Sequence, residues 1–383
     1  MVKETKLHKK NVLLLAGIIL LILIGIFRNQ INTLFGIFYG VTIDKAINLT
    51  KPQKDTFNIA LFGIGGGGHD GPNLTDTIIL ANVNVKQNKV HLFSIPRDLW
   101  VPDLSHKINA AYQTGIDRNN SLGYTKQVIE KVAGQNMDYM LILDFDGFIK
   151  LVDELGGIDV DVANTLDDYN YPIDGKEGDL CGHSEEDVKS FVATGPAEML
   201  SWDYFNCRYK HLHVASGLNH MDGITALEFV RSRHGVGKEG SDFARSKRQQ
   251  LVITALRNKA MSLGVLLNPV KLLAIYNILK DNIHTDISTD KIDDFIKLAQ
   301  KLKNGQIDSN VIDVGDNERL GLLINPPPSQ EYSFAWVLSP RVGNGNFTEI
   351  HDYIACVIKN NTCTVGEKGI YTPTPAVSPK TTN

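Results

Sequence analysis

The stretches FNIALFGI at 57–64, TIILANVNV at 77–85 and KVHLFSIP at 89–96 decide the fold. Each is a short run rich in β-branched and aromatic residues, and glycine or proline stops the first and last, as expected of strands. Only Lys86-Gln87-Asn88 separates the second from the third, so the two read as a hairpin. Further along, helical periodicity takes over in SLGYTKQVIEKVAG (121–134), FIKLVDELGG (148–157), GITALEFV (223–230) and ARSKRQQLVITALRNKAMSLG (244–264). Strands alternating with helices predict an α/β domain, a sheet covered by helices.

Upstream, Val12 to Phe27 reads VLLLAGIILLILIGIF, with no charged or polar side chain. A helix of that length spans about 24 Å, short of a hydrocarbon core of about 30 Å, but Lys10 and Arg28 can reach out to the interfaces. The run is longer than a signal-peptide core, and FRNQINTLF offers no small-residue cleavage site. Residues 12–28 are therefore expected to form an uncleaved transmembrane helix rather than a cleaved signal or a buried soluble helix. Lys3, Lys6, Lys9 and Lys10 against Glu4 alone place residues 1–11 in the cytoplasm, making this a single-pass protein of the cell membrane with its bulk outside. Residues 29–56 read as a stalk and linker.

The cysteines suit that compartment. Cys181 and Cys207 flank one stretch and Cys356 and Cys363 lie close together, as two local disulfides would; four buried thiols is the alternative, and the lack of a C-x-x-C pair disfavours zinc. Residues 164–215 break the strand–helix rhythm. They overlap Leu151 to Ser190, where twelve acidic residues face only Lys176 and Lys189, and are read as an acidic insertion. Helical patterns resume in VKLLAIYNILKDNI and TDKIDDFIKLAQKLKNG, so the outer domain is drawn over 57–305. Pro326-Pro327-Pro328 then marks a semi-rigid boundary. Residues 306–370 are expected to be a C-terminal extension and 371–383 a disordered Thr/Pro tail.

The densest chemical signal is FVRSRHGVGKEGSDFARSKRQQ at 229–250. Residues 231–248 carry six basic groups against Glu239 and Asp242. Arg231 and Arg233 point to one side if extended, and Asp242, Arg245 and Gln249 share a face if helical. Converging guanidinium groups suit a phosphate or diphosphate, because each planar fork bonds two oxygens; a solvated basic face is the alternative. His234 stands beside Arg233. A second cluster, SIPRDLWVPD, puts Arg97 and Asp98 at a strand end, the usual place for site residues in an open α/β sheet, with Lys107 and Asn109 a short loop away. A structural Arg–Asp pair is the bland reading. The third, GIGGGGHDGPNLTDT, satisfies G-x-G-x-x-G, but no helix follows and there is no G-K-[ST]. It reads either as a turn before a strand or as a loop whose amides approach phosphate, with Asp76 as a Mg²⁺ ligand. Serine-hydrolase and zinc-protease signatures are missing.

Taken together, these motifs resemble the LytR-CpsA-Psr family of membrane-anchored bacterial cell-wall transferases. The residues that carry the resemblance are Leu74 to Thr77 before a strand, SIPRD at 94–98, KINAAY at 107–112, LDFDGFIKLVDELGGIDVDV at 143–162, LNHMDGITALEFVRSRH at 218–234 and DFARSKRQQ at 242–250. The resemblance implies a central mixed β-sheet flanked by helices, with a polyprenyl-phosphate lipid held between sheet and helices. It implies transfer of a glycopolymer from undecaprenyl diphosphate to peptidoglycan or another cell-wall acceptor. Carried over by position, Arg97, Arg231, Arg233, Arg245 and Arg248 would grip the diphosphate with help from Gln249. Asp76 would hold Mg²⁺, and Asp98 or Asp242 would position the acceptor hydroxyl or orient an arginine. The chain departs from the family at Leu74-Thr75, where Arg-Ser is usual, and at Gly65, where an aspartate is usual; Asp70 is the candidate replacement ligand. A carrier-binding protein without turnover and a lipid-diphosphate pyrophosphatase are the competing functions.

A net charge of -4 excludes a generic nucleic-acid binder held by bulk phosphate neutralisation, and no helix-turn-helix pattern precedes the anchor. It does not exclude a localised anion clamp, since residues 231–248 sum to +4 and the rest to -8.

Overall fold

The structure, a computed structural model, describes residues 55–372 with 47 and 49, apart from 68, 70, 195–200, 267, 289–290, 317–318 and 360–361. The expected cytoplasmic segment and transmembrane helix, nearly all of the expected stalk, Asp70 and the tail from 373 lie outside the described residues. Among the described residues no helix is long and apolar enough to cross a membrane.

Strands β1 (Thr56–Ile64), β2 (Thr75–Asn84) and β3 (Lys89–Ser94) form where the apolar runs predict them. β1 and β2 pair antiparallel from Thr56↔Asn84, and β2 returns as β3 through a turn in which Asn88 takes a φ of 53°. Asparagine is among the few side chains that tolerate this left-handed conformation. Helices α1 (Ala111–Asp117) and α2 (Ser121–Ala133) lead to β4 (Tyr139–Asp144), which lies parallel to β1, and to α3 (Phe145–Leu155). The Gly-Gly stop works as expected. Gly156 and Gly157 have φ of 81° and 76°, and a Cβ on Gly157 would overlap His220.

Next come β5 (Ile158–Val162), β6 (Leu166–Pro172), β7 (Tyr209–Val214) and β8 (Gly217–Met221), paired antiparallel as β5 with β8 and β6 with β7. The chain continues through α4 (Gly223–Arg231), α5 (Asp242–Ala260), α6 (Pro269–Asn282), β9 (Ile283–Thr285), α7 (Ile292–Lys301), β10 (Gln306–Val311) and α8 (Thr348–Ile358). The main sheet has the order β9-β4-β1-β2-β3-β10. It is mixed: β4 runs parallel to β1 and β10 to β3, and the other neighbours are antiparallel.

Alternation along the strands sends side chains to two faces. Ala60, Phe62, Ile64, Ile78, Leu80, Met140 and Ile142 pack with Ile129 and Val132 of α2 and Ile350 and Ile354 of α8. Leu61, Ile79, Leu141 and Leu143 point the other way, toward α3, α4 and α5. There the layers do not close completely, and a cavity remains.

Two boundaries differ from expectation. The sheet does not end at 305, because QIDSNV at 306–311 is its edge strand β10, in register with β3 from Gln306↔Lys89 to Val311↔Ser94. Edge strands tolerate polar residues, so no apolar run marks it. With α8 in the main core as well, the segment after 305 is integral to the domain. The acidic insertion is likewise rooted in the fold. Leu166, Tyr171, Leu212 and Val214 of β6 and β7 share a second core with Val252 and Ala255 of α5, and a Cys181–Cys207 disulfide closes the excursion between the strands. Cys356 and Cys363 are also joined, leaving no free thiol among the described residues.

Candidate active site at the sheet–helix cavity

The unfilled space is a cavity of about 450 Å³. Its floor is Leu61, Ile79, Leu141 and Leu143 of the sheet, and its roof includes Phe148 of α3, Leu227 and Val230 of α4, and Val252, Ile253 and Leu256 of α5. At the strand ends the lining turns polar, with Asp76, Arg97, Asp144, Arg231, Arg233, His234, Arg245 and Gln249. The result is an apolar slot with a cationic mouth.

Local structure explains why these side chains meet. Asp222 caps α4 by accepting from the Thr225 amide at 2.8 Å, and Ser241 caps α5 by accepting from Ala244 at 3.1 Å. Just past α4, Ser232 turns inward. Its hydroxyl donates at 2.7 Å to Asp168, a carboxylate with no exposed surface, which also accepts from the His234 amide at 3.2 Å. With Ser232 drawn in, Arg231 and Arg233 on either side line the cavity. Arg231 forms an ion pair with Asp174 at 3.2 Å, and its guanidinium lies 4.6 Å from the Phe145 ring centroid. On α5, Arg245 and Gln249 reach the cavity one turn apart, and Gln249 donates to Thr77 Oγ1 at 3.0 Å.

Arg97 contacts Asp76 through Nη1, and its Nε lies 3.6 Å from Asp98 Oδ2. Asp98 is almost fully buried, with Lys107 Nζ at 2.7 Å and Arg233 Nη2 at 3.8 Å completing a ring of three cations around it. Asp98 Oδ2 and Arg97 Nε are both buried without a hydrogen bond. Main-chain bonds hold this loop: Trp100 donates to Leu338 O at 2.8 Å, and Leu338 donates to Asp98 O at 2.9 Å. Tyr332 and Val337 pack on Trp100, and Trp336 lies half exposed with Lys107 Nζ 5.7 Å from its ring.

Residues 39–324 match the LytR_cpsA_psr family. The chain belongs to that family. A transferase named polyisoprenyl-teichoic acid–peptidoglycan teichoic acid transferase TagU, from Oceanobacillus iheyensis, is 27% identical over 310 residues, covering 76% of this chain and 82% of the relative. TagV of Bacillus subtilis, named for the same activity, is 26% identical over 73% of this chain and 64% of its own length. Among solved structures, Lin1025 of Listeria innocua is 26% identical with a TM-score of 0.50, covering 80% of this chain and 98% of that one.

Against the LytR-CpsA-Psr pattern, the structure gathers Asp76, Arg97, Arg231, Arg233, Arg245 and Gln249 around one cavity. Asp98 and Lys107 stand behind them. Asn109 is buried beside the same loop, its amide donating to Arg97 O at 3.2 Å. Arg248 is placed differently from the expected grip. Its Nε donates to Phe229 O at 2.9 Å, Nη2 to Ser232 O at 2.7 Å, and Nη1 to Glu239 O and Oε2 at 2.9 and 3.0 Å. Burial lowers its pKa, against the pull of Glu239, and it braces the turn that presents Arg231 and Arg233. Asp242 opens α5, and its side chain lies outside the described residues.

Where the family usually has aspartate, a side chain on Gly65 would press on His69, whose ring packs edge-on against Phe145 with centroids 5.5 Å apart. Three participants escape the sequence motifs, Asp168, Tyr171 and Asp174, and a fourth, Asp144, lies inside LDFDGF, where the motif assigns it no role. Tyr171 lines the cavity with its buried hydroxyl lacking a partner, and burial, opposed by Arg231, raises its pKa well above the ordinary tyrosine value. Asp144 and Asp76 flank the end of β1 on neighbouring strands, and Asp144 Oδ1 caps α3 by accepting from Gly147 at 2.7 Å. Mg²⁺ needs only one or two carboxylates beside phosphate oxygens and water, so this donor chemistry fits it.

Proposed function

We propose that this protein moves a glycopolymer from a polyprenyl diphosphate carrier onto peptidoglycan or another cell-wall acceptor, a reading supported by relatives named as polyisoprenyl-teichoic acid–peptidoglycan teichoic acid transferases. One observation carries the reading: a single cavity joins an apolar slot to a mouth lined by Arg97, Arg231, Arg233 and Arg245. The slot suits the isoprenoid and the mouth its diphosphate, since guanidinium forks bond phosphate oxygens in pairs. In this reading residues 12–28 anchor the chain and the domain lies outside the cell.

An acceptor hydroxyl attacks the sugar-side phosphorus. The bond from that phosphorus to the bridging oxygen breaks, polyprenyl phosphate departs with the oxygen, and the hydroxyl proton passes to solvent or a carboxylate. Such a transfer needs positioning and charge neutralisation more than covalent help. Arg231, Arg233 and Arg245 neutralise the diphosphate, and the Tyr171 hydroxyl has a hydrogen to donate to it. Asp98, surrounded by Arg97, Lys107 and Arg233, is a positioning residue that keeps these cations aimed when the mouth is empty. Asp76, with Asp144 beside it, would hold Mg²⁺, which adds positive charge at the diphosphate.

The test is to incubate the full chain in detergent with a polyprenyl-diphosphate-linked sugar, Mg²⁺ and peptidoglycan fragments. Polyprenyl phosphate release with sugar phosphate joined to the fragments is the expected result. Free sugar phosphate would mean a pyrophosphatase, and unchanged, tightly bound lipid would mean a carrier-binding protein.

A further inference from the structure

The outer face of the β6–β7 ribbon, away from the cavity, carries a separate constellation. Asp167 stands across from His213, and His211 shares the face of His213 because strand side chains alternate. His211 Nε2 lies 2.8 Å, and His213 Nδ1 2.7 Å, from the same oxygen, Asp167 Oδ1. The three potential ligand atoms lie within 4.8 Å of one another. Tyr169 stacks on His211 with centroids 4.1 Å apart and planes 6° apart, which fixes the imidazole plane. An ordinary exposed ion pair joins one histidine to one carboxylate, as His220 and Asp159 do at 2.7 Å; here two imidazoles converge on one oxygen.

We propose that Asp167, His211 and His213 form a binding site for a borderline divalent transition ion of the Zn²⁺ class, with the remaining position left to water. Two imidazole nitrogens and a carboxylate oxygen are the donors such ions take, whereas Mg²⁺ and Ca²⁺ take oxygen. Tetrahedral Zn²⁺ bonds of about 2.0–2.1 Å put donor atoms about 3.3 Å apart, so atoms already this close converge by side-chain rotation with the strands in place. Each neutral imidazole offers its lone pair once its proton sits on the other ring nitrogen. The ion cross-links β6 to β7 next to Asp168, the residue that holds Ser232 and the arginine turn from the opposite side. This site is distinct from the mouth in both place and chemistry.

The test is a titration of the full chain in detergent with Zn²⁺, in competition with a chromophoric chelator and with excess Mg²⁺ present. One Zn²⁺ per chain is expected. Outer-shell partners of metal ligands are worth about 10–100-fold in affinity, so losing a direct ligand in His213→Ala or Asp167→Asn should cost at least about 100-fold. His220→Ala should bind as wild type does. All these side chains are at least partly exposed, and circular dichroism confirms that each variant is folded. Wild-type affinity no higher than that of His213→Ala, or binding lost in His220→Ala, would overturn the proposal.

Discussion

In an Arg248→Ala variant the carbonyls of Phe229, Ser232 and Glu239, together with the Glu239 carboxylate, lose a donor at once. Removing one partner of a buried charge pair costs about 3–5 kcal/mol. Glu239 keeps some exposure and can partly rehydrate, whereas the buried carbonyls cannot, so a loss near 4 kcal/mol is expected. Domains are stable by only about 5–15 kcal/mol. At about 1.5 °C per kcal/mol for a domain of this size, Tm should fall by about 6 °C. Arg248→Lys should recover little, since a lysine lacks the fork that spans four acceptors. Arg231→Ala gives the contrast. Its ion pair with the exposed Asp174 and its contact with the Phe145 ring are each worth at most about 1 kcal/mol, so Tm should fall by about 3 °C or less while carrier turnover is lost. Thermal melts and polyprenyl phosphate release, measured on the same preparations, separate brace from clamp. An Arg248→Ala protein that melts with wild type yet has lost turnover would refute the brace and return Arg248 to the anion site.

Arg233→Ala should lower turnover at least as far as Lys107→Ala, because Arg233 lines the cavity while Lys107 stands behind Asp98; the reverse order in a lipid-release assay would contradict this geometry. Ile253→Trp should fill the apolar slot and weaken carrier retention with little change in Tm, and unaltered lipid binding would move the isoprenoid elsewhere. Hydrogen bonds from Thr225 hold the Asp222 carboxyl below its usual pKa. Its cap on α4 is therefore fully effective above the ordinary aspartate value of about 3.9 and fades as pH falls through the lower folded value. The stability gap between wild type and Asp222→Ala, about 1 kcal/mol at pH 7, should shrink in acid, and a gap independent of pH would count against the carboxylate as its source. A Cys181→Ser/Cys207→Ser double variant releases a loop of sequence separation 26, worth about 3–4 kcal/mol in chain entropy. Limited proteolysis should then cut within 173–208 first, and unchanged resistance would show that the strands alone hold the excursion.

The sheet's first three strands were legible because their apolar runs are short and their stops are glycine and proline. β10 was not, because an edge strand such as QIDSNV needs no apolar run, and β6 and β7 were obscured by the long acidic excursion between them. At the site, the one-turn spacing of Arg245 and Gln249 predicted a shared direction, and both do line the cavity. Spacing cannot reveal which neighbouring arginine turns toward protein: Arg248 is close to Arg245 around the helix, yet ends on backbone carbonyls. Asp168 and Asp174 gave no signal at all. In sequence they are two carboxylates of an acidic run, and only the β6–β7 pairing brings them to the arginine turn.

The main-chain stitch between Asp98, Trp100 and Leu338 bears on where this protein can be cut. The residues shared with the family stop at 324, yet the partner of the Arg97–Asp98 loop lies fourteen residues further on. A fragment ended at the family boundary would leave the Trp100 amide and Asp98 carbonyl unpaired and strip Tyr332 and Val337 from the Trp100 ring. Loss of activity in such a fragment would report a loosened loop, not a missing catalytic group. A fragment meant to isolate the folded domain should therefore run through α8 and the Cys356–Cys363 disulfide.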